Sequence, residues 1–90
     1  MPEPLSDEQV QSRIEALEAE ERRLRDDEAE VAATRNEDQL AADAKRLGAI
    51  KVELDQLWDY LRQRRALRDS GQNPDAAVMR DEGTVEGYLG

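Results

Sequence analysis

Carboxylates and guanidinium groups are the reactive side chains this sequence offers in quantity, with 22 Asp and Glu against 13 Lys and Arg. Asp26-Asp27-Glu28 is the densest acidic run. Two carboxylates can divide acid and base work when an enclosed site separates their pKa values. Successive residues on a helix point roughly 100° apart, so this run reads as a solvated face. A carboxylate metal centre in a helical bundle normally includes Glu-x-x-His, and the chain has no histidine. It also lacks cysteine, which removes thiolate nucleophiles, disulfides and Cys-based zinc sites. No Gly-rich phosphate loop or nucleophile elbow is present. The expectation is a protein that is not an enzyme, with no cofactor, metal or small-molecule substrate.

Binding is the remaining chemistry. Arg62-Gln63-Arg64-Arg65-Ala66-Leu67-Arg68 is a basic cluster, and such clusters can grip phosphate. The whole chain carries a formal charge of −9, which opposes nucleic acid and anionic membranes alike. Phenylalanine is absent, so there is no aromatic ladder for single-stranded bases. The cluster therefore reads first as charge complementarity and capping within the fold, then as a surface for an acidic protein, and last as a nucleic-acid contact. Trp58 is the one tryptophan. Tryptophan anchors many interfaces, but the periodic run in which Trp58 stands places it opposite Ile14 and favours the core. Trp58, Arg62, Arg64, Arg65, Arg68 and Tyr88 are the candidate interaction residues.

The elements that position them are helices. Ser6 and Gln9 form a capping box, with Leu5 and Val10 placed as a hydrophobic staple. Asp7 and Glu8 suit the positive end of the helix dipole. Val10, Ile14, Leu17, Glu21, Leu24, Glu28 and Val31 then alternate by four and three, a heptad seam. The pattern stalls near residues 34–36, where Thr34 with Glu37, or Asn36 with Gln39, can cap a second helix. That helix shows Leu40, Ala44, Leu47, Lys51, Leu54, Trp58 and Leu61, widened by Ile50 and Leu57. Gly71 reads as its C-terminal stop, with Pro74 beyond.

If the chain reverses near residue 35, facing residues have numbers summing to about 71. Val10 then meets Leu61, Ile14 meets Leu57 and Trp58, Leu17 meets Leu54, Leu24 meets Leu47, and Val31 meets Leu40. Glu21 comes level with Ile50 and Lys51, allowing a Glu21–Lys51 pair. Asp59 can reach Arg13 across the hairpin or Arg62 one turn on. The acidic start of one helix lies beside the basic end of the other. The rival is one continuous rod of roughly 95 Å, at 1.5 Å per residue. The expected fold is an all-α antiparallel helical hairpin over 1–70, with helices near 7–34 and 37–70. Over 71–90 the reading is a short helix, from Asn73 to about Asp81 with Gly83 closing it, and a tail.

The run Leu54-Asp55-Gln56-Leu57-Trp58-Asp59-Tyr60-Leu61-Arg62-Gln63-Arg64-Arg65-Ala66, followed by Gly71, Asn73-Pro74-Asp75 and Val85-Glu86-Gly87-Tyr88, resembles a small actinobacterial family, domain of unknown function 2630. Ile14 to Arg25 resembles the family's Glu- and Arg-rich helix. The resemblance implies an actinobacterial origin and brings no activity, cofactor or partner. The residues themselves point to a structural or protein–protein interaction module. A single hairpin leaves one side of its seam open, so the expected partner is a second copy, giving a dimeric four-helix bundle, or another protein. The alternative is a nucleic-acid-associated regulator using Arg62–Arg68. No apolar run approaches the roughly 20 residues that span a bilayer, and a cytoplasmic location is expected.

Overall fold

The computed structural model describes residues 4–34 and 36–80. Helix α1 (Asp7–Thr34) and helix α2 (Glu37–Asp69) pack against each other as a hairpin, and no strand occurs among the described residues. Local chemistry sets the helix ends. The Ser6 N–H donates to Gln9 Oε1 at 2.8 Å and the Gln9 N–H to Ser6 Oγ at 3.1 Å, a reciprocal capping box. Of the two caps open to α2, Asn36 is used: its Oδ1 accepts from the Gln39 N–H at 3.1 Å. At the far end Gly71 takes φ 78°. The Gln72 N–H then reaches Leu67 O at 2.8 Å and the Gly71 N–H reaches Arg68 O at 3.1 Å, the Schellman arrangement.

On α1 the seam is the one the spacing predicts. Val10, Ile14 and Leu17 are buried, while Glu21, Leu24 and Glu28 are half-buried. On α2 it is shifted by one residue at alternate positions. Leu40, Asp43, Leu47, Ile50, Leu54, Leu57, Leu61 and Arg64 turn inward, and Ala44, Lys51 and Trp58 stay exposed. Leu40, Leu47, Leu54 and Leu61 serve either frame, so the intervening residues decide which is used. Ile50 and Leu57 bury two aliphatic side chains, whereas the other frame would place the Lys51 ammonium in the seam, where it would be costly to desolvate. Trp58 is consequently 49% exposed and is not part of the core. Tyr60 is buried with the seven-residue core cluster of Val10, Ile14, Leu17, Ile50, Leu57, Tyr60 and Leu61.

The antiparallel register agrees with facing numbers near 71, since Asp7 pairs with Arg64. Two further interhelical pairs run along one flank: Arg13 Nη2 donates to Glu53 Oε1 at 3.0 Å and Arg46 Nη2 to Glu20 Oε1 at 2.8 Å. The expected Glu21–Lys51 pair is replaced by Glu21 with Arg25 on α1, at 3.8 Å. Val31, expected against Leu40, has a side chain outside the described set.

The short helix expected from Asn73 is a single 3-10 turn, Pro74–Ala76, with Asn73 as its cap. Ala77 is already extended (φ −61°, ψ 144°). Gln63 explains the early stop. Its Nε2 donates to Val78 O at 2.7 Å while the Val78 N–H donates to its Oε1 at 3.0 Å. The side-chain amide thus takes both backbone groups of Val78, and residues 71–80 lie as a strap along the outer face of α2. Gly83, Val85, Tyr88 and Leu89, expected in the tail, lie outside the described residues.

Candidate interaction surface

The basic run does not form one surface. Arg64 is the seam residue that ends the core, and it is only 7% exposed. Its Nε donates to Asp7 Oδ1 and its Nη1 to Asp75 Oδ1, at 2.5 and 2.9 Å. One guanidinium thereby ties the start of α1, the end of α2 and the strap. A planar fork with several donors suits such a three-way junction, which a lysine ammonium would fit less well. Arg68 adds a 2.9 Å bond to the other Asp7 oxygen. Hydrogen bonds from Arg64 and then Arg68 hold the Asp7 carboxyl below its ordinary pKa, and those from Asp7 and Asp75 hold Arg64 above its own. Arg13 and Arg46 likewise lower the pKa values of Glu53 and Glu20, chiefly through their hydrogen bonds.

Asp59 anchors a second cluster. It is 2% exposed, although it points away from the seam. Arg62 approaches it at 3.5 Å, Arg80 at 3.5 Å, and Gln63 Nε2 donates to it at 2.9 Å. Asp59 thus takes the Arg62 option of the two expected, with Arg80 as an added partner, while Arg13 goes to Glu53. These groups and Leu67, Ser70, Gln72 and Ala76 line a cleft of about 390 Å³ between α2 and the strap. The Ser70 hydroxyl donates to Leu67 O at 3.0 Å and accepts from Gln72 at 3.2 Å, so it serves as a cap. Among the described residues, no group of three or more acids could hold a metal ion.

Of the candidate residues, Arg65 and Trp58 are exposed on α2. Arg62 and Arg68 are exposed but engaged with Asp59 and Asp7. Arg64 is enclosed, and Tyr88 lies outside the described residues. Asp43, Tyr60 and Gln63 are structural participants that the sequence pattern did not single out. The Tyr60 hydroxyl accepts from the Leu5 N–H at 3.2 Å. Its position seven residues after Glu53, on the flank of the cross-helix pairs, is the signal that could have found it.

A helical hairpin closed by arginine ion pairs, with its Trp58 flank exposed, defines a small all-α protein with no enzymatic signature. The chain belongs to the family described as "Protein of unknown function (DUF2630)", whose model matches residues 6–90. It is 42% identical over 85 residues to the Mycobacterium tuberculosis (strain H37Rv) "Uncharacterized protein Rv0898c" and to the Mycobacterium bovis "Uncharacterized protein Mb0922c", covering 94% of this chain and 92% of each relative. The actinobacterial resemblance is thereby shown. No solved structure matches the chain. No helix among the described residues is long and apolar enough to cross a membrane.

Proposed function

We propose that the protein is a non-catalytic protein–protein interaction module of the cytoplasm, which engages its partner through the Trp58 flank of the hairpin. The observation that carries this reading is the 49% exposure of the sole tryptophan on a helix whose aliphatic residues fill the seam. An indole in water forgoes much of the burial that makes tryptophan a frequent interface anchor. The engagement of Arg62, Arg64 and Arg68 with Asp59, Asp7 and Asp75 leaves Arg65 alone of the four outside an ion pair among the described residues, which favours a protein partner over a nucleic acid. The test is a photo-crosslinking residue placed at position 58 in the full chain, in the native cell. A position-13 variant, on the flank closed by ion pairs, is the control. Protein adducts specific to position 58 support the reading. No adducts, or equal adducts at both positions, would refute it.

A further inference from the structure

The two flanks of the seam use their charges differently. On one, Arg13, Glu20, Arg46 and Glu53 are joined in cross-helix ion pairs. On the other, the same spacing sets Gln11, Glu18 and Arg25 of α1 beside Lys51, Trp58 and Arg65 of α2, all exposed. In this antiparallel hairpin Gln11 neighbours Arg65, Glu18 neighbours Trp58, and Arg25 neighbours Lys51. None of these is an opposite-charge pair. Glu8, Glu18, Lys51 and Arg65 make no ion pair among the described residues. Charges flanking a helical seam set partner choice and orientation, and this flank leaves both signs unmatched among the described residues.

We propose that a second copy of the chain covers this flank, related by a two-fold axis along the hairpin, so that α2 of each copy lies on α1 of the other. This rests on the interaction-module reading and names its partner. A two-fold axis along the hairpin preserves height, so the numbers that face within one chain also face between copies. Arg65 then comes level with Glu8 of the second copy, and Lys51 with Glu18. Trp58, midway between Lys51 and Arg65, comes level with the exposed Gln11 and Glu15, which lie between Glu8 and Glu18 on the same face of α1. Cations bracket the indole on one surface, and acids stand at matching heights on the other. The symmetry forms each contact twice, as two-fold homo-oligomers do.

Sedimentation equilibrium on the full chain tests this. The wild type should show twice the 10.2 kDa of one chain. Charge reversal on α2 (K51E with R65E) or on α1 (E8K with E18K) should each weaken self-association at least tenfold, with helical circular dichroism retained. Mixing the two variants should restore a dimer, because in the mixed pair every reversed charge meets a reversed partner or none. A monomeric wild type, reversals without effect, or a mixture that stays monomeric would each overturn the second-copy proposal. A monomer that still gives position-58 adducts with a different protein would leave the interaction-module reading standing. Loss of those adducts would remove both.

Discussion

The two ends of the hairpin are built differently. At the end holding the start of α1 and the finish of α2 lie six of the seven buried core residues, all but the mid-hairpin Ile50, with the Arg64 junction and the Leu5–Tyr60 bond. Toward the turn, the seam carries Glu21, Glu28 and Asp43 among half-buried Leu24, Leu40 and Leu47. Asp43 is 4% exposed, and its Oδ2 has no hydrogen-bond partner among the described residues, although Gln39 Nε2 donates to Oδ1 at 2.8 Å. The contrast teaches that one periodic pattern can run the length of a hairpin while the stabilising burial concentrates at one end. Stability within a fold is local in this sense. Amide exchange near residues 24 and 47 should therefore proceed by opening of the turn half alone, while amides near residues 14 and 57 exchange only on global unfolding.

The largest expected effect comes from the dense end. Leu17→Ala removes a fully buried side chain and should cost about 2–5 kcal/mol. Leu47→Ala, at a half-buried site, should cost about half as much or less, because less apolar surface returns to water. Equal costs from chemical denaturation would erase the contrast between the ends.

Arg64 is next. Arg64→Met keeps the apolar stem but removes the donors to Asp7 and Asp75, and hydrogen bonds to charged groups are each worth about 1.5–3 kcal/mol. The freed carboxylates are partly exposed and can rehydrate, so the net loss should be about 2 kcal/mol. The same junction sets an acid dependence. The Asp7 pKa is lower folded than unfolded, so its contribution is present above the ordinary carboxylate range, about pH 4, and is lost as pH falls through the lower folded value. Asp7→Asn should flatten stability against pH in that window. An unchanged acid limb would show that Asp7 is not among the groups responsible.

At the turn half the sign reverses. Asp43→Leu replaces a buried carboxylate oxygen that lacks a partner, and leaving such a group unsatisfied costs about 1–3 kcal/mol. The variant should be more stable by about 1–2 kcal/mol, and exchange near residues 24 and 47 should slow toward that of the dense end. A destabilised variant would mean that Asp43 has a partner in solution.

The helices and their pairing were legible because several signals coincide. The Ser6–Gln9 box, the Gly71 stop and the strict spacing of Val10, Ile14, Leu17 and Leu24 are local and redundant. The cap at Asn36 was one of two readings, since neither Gly nor Pro marks that break. The frame of α2 was ambiguous because Leu40, Leu47, Leu54 and Leu61 satisfy two seams. Choosing between Ile50 with Leu57 and Lys51 with Trp58 needs the cost of burying an ammonium weighed against the attraction of an indole. Gln63, and the Arg80 contact of Asp59, were illegible for another reason. Their surroundings are made by the strap, and a side-chain amide bonding to Val78 fifteen residues away leaves no periodic trace. The candidate surface was half legible: Trp58 and Arg65 stand out in composition, but the enclosure of Arg64 depends on Asp75 arriving from the strap.

Trp58 gives the smallest expected effect on the isolated chain, and that smallness is its diagnostic value. Tryptophan to alanine in a core costs about 3–5 kcal/mol, enough to unfold a marginal small domain. On the exposed flank, where Trp58 has half its surface in water, Trp58→Gln should change the stability of the dissociated chain by less than about 0.5 kcal/mol. A glutamine is a good helix former and fits a solvent-facing position, so the hairpin keeps its helical content. The measurement must be made at a concentration low enough to dissociate any complex, because a partner that binds only the folded chain adds its binding energy to the apparent stability. Under those conditions a loss of several kcal/mol would return Trp58 to the seam and exchange the frame of α2 for its rival. A negligible loss when dilute, together with a loss that grows with concentration, would place the worth of this side chain in a contact between molecules.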